Sequence, residues 1–262
     1  MTISSICQRK GQDWVAQVAG QGWEAIVMAD GISAMYEAGW AAKFAVNALI
    51  ERIKQANGVF TANLFRTAFG EIPEKMRAQL PQDFSDLTEP QLHYGFGTTL
   101  LCAVRHGETY WFAYVGNGGI IHLRSRYFHQ KSFNYPIPWS AVNLLNPHTI
   151  EEDGQEQLYR YISPRRSDTL AIPTVLCLSE QPNPSDYFIL CTDGIFSTDH
   201  IPYTADDENG IWLKHELRLT RLYELLKDNR QPTQANIDTY LATLDEQNLL
   251  DDDATISILW QI

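Results

Sequence analysis

The sequence predicts an α+β fold in which helices pack outside an antiparallel sheet. Six short segments are apolar or alternate between apolar and polar residues, as the strands of a layered protein do. Three longer segments repeat apolar residues at the spacing of an amphipathic helix. Because the predicted strands follow one another in hairpin-like succession, with helices grouped between them, the pattern favours antiparallel pairing over alternating parallel units.

Each element is predicted from its own apolar pattern. The strands are Glu24 to Ala29, Thr98 to Arg105, Thr109 to Val115, Gly119 to Arg124, Tyr187 to Cys191 and Ala254 to Trp260. The helical stripes are formed by Ala38, Ala42, Ala45, Val46, Leu49 and Ile53, then by Leu219, Leu222, Tyr223 and Leu226, and last by Ile237, Tyr240, Leu241 and Leu244. Pro232 and Thr233 precede the third stripe, as is typical of a helix start.

No Ser/Gly linker, low-complexity tract or repeat divides the 262 residues, so we predict one domain over residues 1–262. No apolar run approaches the ~20 residues that cross a bilayer. The first ten residues lack the apolar core of a signal peptide. The four cysteines are scattered and form no C-x-x-C pair, which indicates reduced thiols rather than disulfides or zinc ligands. We therefore expect a cytoplasmic protein.

The formal net charge of -12 disfavours nucleic acid and anionic membranes as partners, because both require clustered Lys and Arg. Motifs for nucleotides, nucleophilic hydrolases and zinc are also missing from the sequence. GQGWEA and GFGTTL run into strands rather than helices, and no P-loop, G-x-S-x-G or H-E-x-x-H segment occurs. The remaining candidates for chemistry are aspartates.

Aspartates lie at or beside the ends of predicted strands in four places. Asp30 and Asp193 each follow an apolar run and precede a glycine. Asp13 precedes a further apolar segment, and residues 251–253 are three aspartates before the last strand. One Asp-Gly pair by itself is most often a turn. Four such positions together favour a site for hard cations such as Mg²⁺ or Mn²⁺, which prefer carboxylate oxygens and water.

An ordered set of short blocks resembles the metal-dependent PPM-type protein phosphatases, also called the protein phosphatase 2C class. The early Gln-Asp form resembles a bacterial branch of that family. The blocks, which span almost the whole chain, are Gln12-Asp13, Asp30 in ADG, Gly97-Thr98-Thr99, Val115 to Arg124 (VGNGGIIHLR), Asp193 in TDG, and Asp252 to Thr255 (DDAT). The resemblance implies a four-layer α-β-β-α sandwich, with two central antiparallel sheets flanked by helices and a two-metal centre at one rim.

The resemblance also implies a ligand set for two Mn²⁺ or Mg²⁺ ions. Asp30 is expected to bridge both ions, and the carbonyl of Gly31 is expected to join their shell. Asp193 and Asp252 are expected to complete the shell of one ion, and Asp13 that of the other. Such a centre lowers the pKa of a bridging water for attack on phosphorus, so no covalent enzyme intermediate is needed.

Several positions leave alternatives open. Residues 251–253 are all aspartates, so the family motif can be aligned one residue later, and Asp253 is an alternative to Asp252. Many relatives hold the substrate phosphate with an early arginine, and Arg9 is the candidate here, with Lys10 as the alternative. Ile32 stands where some relatives carry a proton-donating histidine, so water or another group must protonate the leaving oxygen.

We predict an enzyme that hydrolyses phosphoserine and phosphothreonine in proteins, in which Asp30, Asp193 and Arg9 are catalytic. Its expected partners are a phosphorylated protein and a cognate Ser/Thr kinase. The alternatives are a catalytically inactive, phosphatase-like binding module and a phosphatase for small metabolites. The complete aspartate set favours an enzyme. Asn117 and Ser197 replace aspartates that hold a weaker third ion in many relatives, so we expect two well-occupied ions.

Substrate choice is predicted to depend on the segment from Arg126 to about Asp186. This segment is rich in proline, aromatic and polar residues, and it includes the pair Arg165 and Arg166. In the family the corresponding segment includes a variable flap beside the metals, so we expect it to guide protein substrates. A packed surface loop is the alternative.

Overall fold

The structure is a computed structural model. It describes residues 1–35, 37–81, 87–88, 91–92, 95–123, 141–164, 170–179, 186–195, 203–205, 211–213, 218, 221–222, 225–226, 231–250 and 252–260. The strands are β1 (Thr2–Cys7), β2 (Asp13–Gly20), β3 (Trp23–Asp30), β4 (Leu100–His106), β5 (Thr109–Val115), β6 (Gly119–Leu123), β7 (Ala141–Asn143), β8 (Thr149–Glu152), β9 (Gln155–Leu158), β10 (Thr174–Leu178), β11 (Tyr187–Cys191), β12 (Tyr203–Ala205), β13 (Ile211–Leu213) and β14 (Ala254–Trp260). The helices are α1 (Ala38–Ala56), α2 (Ala62–Ala78) and α3 (Gln234–Glu246), and residues 218, 221–222 and 225–226 are also helical.

The chain forms two compact units, each assembled from segments that are distant in sequence. Unit 1 contains Met1–Arg9, Gly118–Asn146 and Pro182–Ile262, and unit 2 contains Lys10–Asn117 and Pro147–Gln181. Each unit holds one five-stranded sheet, and its strands pair antiparallel. The predicted α+β class, with two antiparallel sheets and helices, is therefore confirmed. That the chain acts as one domain stays a prediction.

In unit 2 the sheet has the order β10-β5-β4-β3-β2, and α1 packs against β2 and β3. β3 is paired on both sides, and from Trp23 to Ala29 it is buried, which explains its nearly continuous apolar sequence. The stripe predicted on α1 is confirmed as the buried side of this helix. Its members, Ala38, Ala42, Ala45, Val46, Leu49 and Ile53, are all buried.

The sequence pattern does not predict α2, the second helix of unit 2, which carries Pro73 in its interior. A proline removes a backbone donor and is unfavourable inside a helix. The helix is stabilised at its start by Thr61, whose side chain accepts a hydrogen bond from the Leu64 N–H at 3.1 Å. Phe65 and Phe69 are fully buried in the same core. Packing of an apolar side therefore outweighs the local cost of the proline.

In unit 1 the sheet has the order β1-β14-β11-β6-β7, and α3 packs beside β1. The predicted bounds of β11 and β14 are confirmed. Apolar residues of β6, β11, β14 and α3 share one core, which also contains Leu222 and Leu226 of the second predicted stripe. The other two residues of that stripe, Leu219 and Tyr223, lie outside the described residues.

The sequence pattern also does not predict β1 and β2, each of which lies at one edge of its sheet. β1 is half-buried throughout, and the residues of β2 after Asp13 are half-buried or exposed. Edge strands pair on one side only and keep polar residues, so their sequences lack the apolar runs that identify central strands.

No helix in the described part of the chain is long and apolar enough to cross a membrane. The four cysteines are free, as predicted: Cys102 and Cys191 are buried, Cys7 is half-buried and Cys177 is exposed. Arg165 and Arg166 lie outside the described residues, so their role in substrate choice stays a prediction.

Candidate metal site

Two of the predicted ligands, Asp13 and Asp30, lie directly opposite each other in unit 2. Asp13 begins β2, Asp30 ends β3, and the two residues pair in the antiparallel register. Directly opposite side chains point to the same face, with Cβ atoms about 4.5–5.5 Å apart. Asp13 is 1% exposed, and Asp30 is half-buried. Two carboxylates at such positions repel, so this donor set suits a hard cation that neutralises both.

The backbone of Asp30 is held from the next strand by Thr98 and Thr99, the two threonines of the GTT block. The Asp30 N–H donates to Thr99 Oγ1 at 3.0 Å. The Asp30 carbonyl accepts from the Thr99 N–H at 2.8 Å and from Thr98 Oγ1 at 2.9 Å. Since both threonines are buried, these bonds fix the strand end without leaving buried polar groups unpaired.

Gly31 continues this arrangement into the start of α1. Its N–H donates to the carbonyl of Gln12 at 3.1 Å, and it forms a β-bridge with Thr98. A Cβ atom at position 31 would lie 2.7 Å from the backbone of Ala38, closer than side chains tolerate. The glycine that follows Asp30 is therefore required by the close approach of the helix, which explains the Asp-Gly pair.

In unit 1, Asp193 lies in a tight turn after β11. The Ile195 N–H donates to the Thr192 carbonyl at 3.1 Å and closes this turn. Thr192 also exchanges two hydrogen bonds with Thr255 at the start of β14: its N–H donates to the Thr255 carbonyl at 3.1 Å, and its Oγ1 accepts from the Thr255 N–H at 2.9 Å. The threonines of the TDG and DDAT blocks thus fasten the two segments to each other.

Gly194 brings the same turn against the other acidic block. A Cβ atom at position 194 would lie 2.0 Å from the carbonyl oxygen of Asp253, so only glycine fits. Asp253 is 1% exposed, and its carboxylate accepts the N–H of Arg9. Asp252 is half-buried, and its Oδ1 accepts the Asp253 N–H at 2.8 Å. Unit 1 therefore brings Asp193 close to Asp252 and Asp253.

The two candidates for phosphate binding fall in different units. The guanidinium of Arg9 forms an ion pair with Asp245, near the end of α3 in unit 1. In unit 2, Lys10 Nζ lies 3.5 Å from Ser33 Oγ, which donates to Gln12 Oε1 at 3.1 Å. Lys10 is thus connected through side chains to the residue that precedes Asp13.

Within the described residues, no group of three or more His, Cys, Asp or Glu side chains lies close enough to hold one metal ion. The structure brings Asp13, Asp30 and Gly31 together in unit 2, and Asp193 and Asp252 together in unit 1. The complete ligand set stays a prediction. Of the two positions considered for a third ion, Asn117 is described and Ser197 is not.

One buried residue, His148, supports the VGNGG block but belongs to no motif that the sequence analysis identified. Its Nδ1 accepts the Gly116 N–H at 3.2 Å, and its Nε2 lies 2.9 Å from Thr174 Oγ1. Because Nδ1 accepts this hydrogen bond, the neutral ring carries its proton on Nε2, which donates to Thr174 Oγ1. Burial, and then the positive charge of Arg160, lowers the pKa of His148 to about 4.

A comparison with known proteins finds one family model and several solved structures that are similar to this chain. A family model described as Protein phosphatase 2C matches residues 7–242. No curated protein matches the chain. Among solved structures, the chain is similar to a variant of a bacterial serine phosphatase, with a TM-score of 0.68 and 15% identity over 100% of this chain and 97% of that chain.

Two further structures agree with that likeness. The serine/threonine phosphatase of S. agalactiae has a TM-score of 0.64 and 15% identity, over 100% of both chains. The serine/threonine phosphatase Stp1 of Staphylococcus aureus has a TM-score of 0.64 and 16% identity, over 100% of this chain and 94% of that chain. At such identities these likenesses show that the fold is shared.

The substitution Thr99→Val tests the support of Asp30. Valine keeps the shape of threonine but cannot accept the Asp30 N–H, so we expect the free energy of unfolding to fall by about 1–2 kcal/mol. Urea denaturation measures this change. Thr109→Val on β5 is the matched control and should change stability little. Equal stabilities of the two variants would show that the Thr99 hydroxyl is dispensable.

His148 gives a second prediction, for the dependence of stability on pH. Its pKa in the folded protein, about 4, lies below the ordinary value of 6.5, so between these values the unfolded chain binds the proton preferentially. Stability should therefore fall as the pH is lowered from about 6.5 to about 4, with His148 accounting for about 3 kcal/mol. Denaturation of wild type and His148→Gln at several pH values measures this share. The same pH dependence in both proteins would contradict the prediction.

Proposed function

Because the chain belongs to the protein phosphatase 2C family, whose model matches residues 7–242, we propose that it is a metal-dependent phosphatase that hydrolyses phosphoserine and phosphothreonine in proteins. The observation that carries this proposal is the opposed pair Asp13 and Asp30. Its two negative charges at one strand end repel each other and suit a divalent cation.

The proposed ligands are the aspartates named by the family resemblance. The proposed ligands of two Mn²⁺ or Mg²⁺ ions are Asp13, Asp30, the Gly31 carbonyl, Asp193 and Asp252. Asp253 is 1% exposed whereas Asp252 is half-buried, which supports Asp252, rather than Asp253, as the ligand. When bound, the ions supply the Lewis acidity that activates water and neutralises the charge of the phosphoryl group.

The remaining steps fall to protein side chains and to solvent. Arg9 would bind the substrate phosphate as a bidentate donor, for which its guanidinium has to leave Asp245. Lys10 is the alternative, and its contact with Ser33 supports a position beside the carboxylates of unit 2. Ile32 carries no transferable proton, so water protonates the leaving oxygen in this proposal.

The proposed substrate is a phosphorylated protein that is the product of a cognate Ser/Thr kinase, and we propose that residues 1–262 act as one phosphatase domain. The free thiols of the chain support the cytoplasm as the compartment. p-Nitrophenyl phosphate and a phosphopeptide panel, each assayed with and without Mn²⁺, distinguish the alternatives. Hydrolysis of the aryl phosphate alone would indicate a small-molecule phosphatase, and binding of phosphopeptides without hydrolysis would indicate a binding module.

The substitution Asp30→Asn tests the metal centre. It removes one charged ligand while keeping the shape of the side chain, so we expect Mn²⁺-dependent hydrolysis of p-nitrophenyl phosphate to fall by about 100-fold or more, with the fold intact. Asp153→Asn is the matched control, because it removes one negative charge at the β8–β9 hairpin of the same unit, where its positive φ of 53° also suits asparagine. Near wild-type turnover in the Asp30 variant would refute the metal assignment.

A second set of variants decides between Arg9 and Lys10. If Arg9 binds phosphate, Arg9→Ala should raise KM for a phosphopeptide about 10-fold, as expected for loss of a charge-assisted hydrogen bond. Asp245→Asn should lower KM, because it releases the guanidinium from its ion pair. Steady-state kinetics measure both changes. A raised KM in Lys10→Ala alone, with no response to Asp245→Asn, would assign the role to Lys10.

A further inference from the structure

Arg218 makes a direct contact with the turn that carries Asp193. Its Nη1 donates a partly buried hydrogen bond of 2.7 Å to the carbonyl oxygen of Gly194. Hydrogen bonds from a guanidinium are charge-assisted and are stronger than those between neutral groups. The residue belongs to no block of the sequence pattern, and the sequence analysis did not identify it.

The turn leaves little freedom for Asp193 once this bond is made. The Ile195 N–H to Thr192 carbonyl bond closes the turn, and position 194 has no space for a Cβ atom beside the Asp253 carbonyl. Arg218 adds a third restraint, at the carbonyl one peptide after Asp193. Together these contacts fix the backbone from which the Asp193 carboxylate projects.

Arg218 is itself held from the core of unit 1. Its backbone carbonyl accepts the hydroxyl of Tyr240 at 2.8 Å, and Tyr240 is a buried residue of α3. Leu222 and Leu226, two of the helical residues that follow Arg218, are fully buried in that core. The restraint on the turn therefore connects to packed parts of the unit and not to a freely moving side chain.

Arg218 places its positive charge at the peptide that follows Asp193. A positive charge near a cation site weakens cation binding by Coulomb repulsion. If charge were the main effect of Arg218, its removal would strengthen metal binding.

We infer that Arg218 is a positioning residue, which holds the Asp193 turn in the orientation that metal binding requires. This inference rests on the proposed function, in which Asp193 is a metal ligand. Residues that orient a ligand without touching the metal typically change metal affinity by 10–100-fold when they are replaced. Removal of Arg218 should therefore weaken metal binding, which is opposite in sign to the effect of charge alone.

The test uses the full chain with Arg218→Met, which keeps a long side chain without donors or charge, and with Arg218→Lys, which keeps the charge. Arg221→Met, at the next arginine of the sequence, is the control for loss of a charge. Calorimetric titration of the metal-free proteins with Mn²⁺ should show about 10-fold weaker binding in Arg218→Met, partial recovery in Arg218→Lys and wild-type affinity in Arg221→Met.

Hydrogen exchange at the Ile195 amide gives a readout that needs no metal. In the metal-free protein, exchange at this amide should be about 10-fold faster in Arg218→Met than in wild type, because the turn opens more readily. Tyr240→Phe removes only the hydroxyl that holds Arg218 and should change both measurements in the same direction by a smaller factor. It replaces Arg218→Met in the test if that variant does not fold.

Unchanged or tighter Mn²⁺ binding in Arg218→Met, together with wild-type exchange at Ile195, would overturn the inference. A failure of the wild-type protein to bind Mn²⁺ would instead refute the proposed function. The exchange rates would then still decide whether Arg218 restrains the turn.

Discussion

The opposition of Asp13 and Asp30 across β2 and β3 is the constraint on which the organisation of unit 2 depends. Two carboxylates at directly opposite strand positions repel each other. Hydrogen bonds to the backbone of Asp30 hold this strand end. Thr98 and Thr99 form hydrogen bonds with the backbone N–H and carbonyl of Asp30, and Gly31 lets α1 begin close to the strand end.

In unit 1, a different set of residues holds the backbone beside the aspartates. Thr192 and Thr255 exchange hydrogen bonds at the ends of β11 and β14, and Gly194 lets the Asp193 turn touch the backbone of Asp253. In both units, threonines and glycines hold the backbone beside the aspartates. The short blocks of the sequence therefore act in pairs, because the threonines of one block hold the backbone of a block that contains an aspartate.

The parts of the fold that could be predicted from the sequence are those whose burial is uniform. β3, β11 and β14 are almost entirely buried, so their apolar runs identify them without knowledge of their neighbours. β1 and β2 are edge strands with mixed sequences, and α2 contains a proline that only packing makes tolerable. Arg218 and His148 act on backbone groups 24 and 32 residues away, and no local pattern reports such a contact.

The pairing of β1 with β14 has a consequence for synthesis of the chain on the ribosome. Thr2 pairs with Leu259, so β1 emerges long before the strand with which it pairs. Unit 2, in contrast, is complete once Gln181 has emerged, and it can build its core while the rest of unit 1 is still being translated. During that interval β1 is an unpaired strand, which is the kind of segment that binds chaperones or associates with other nascent chains.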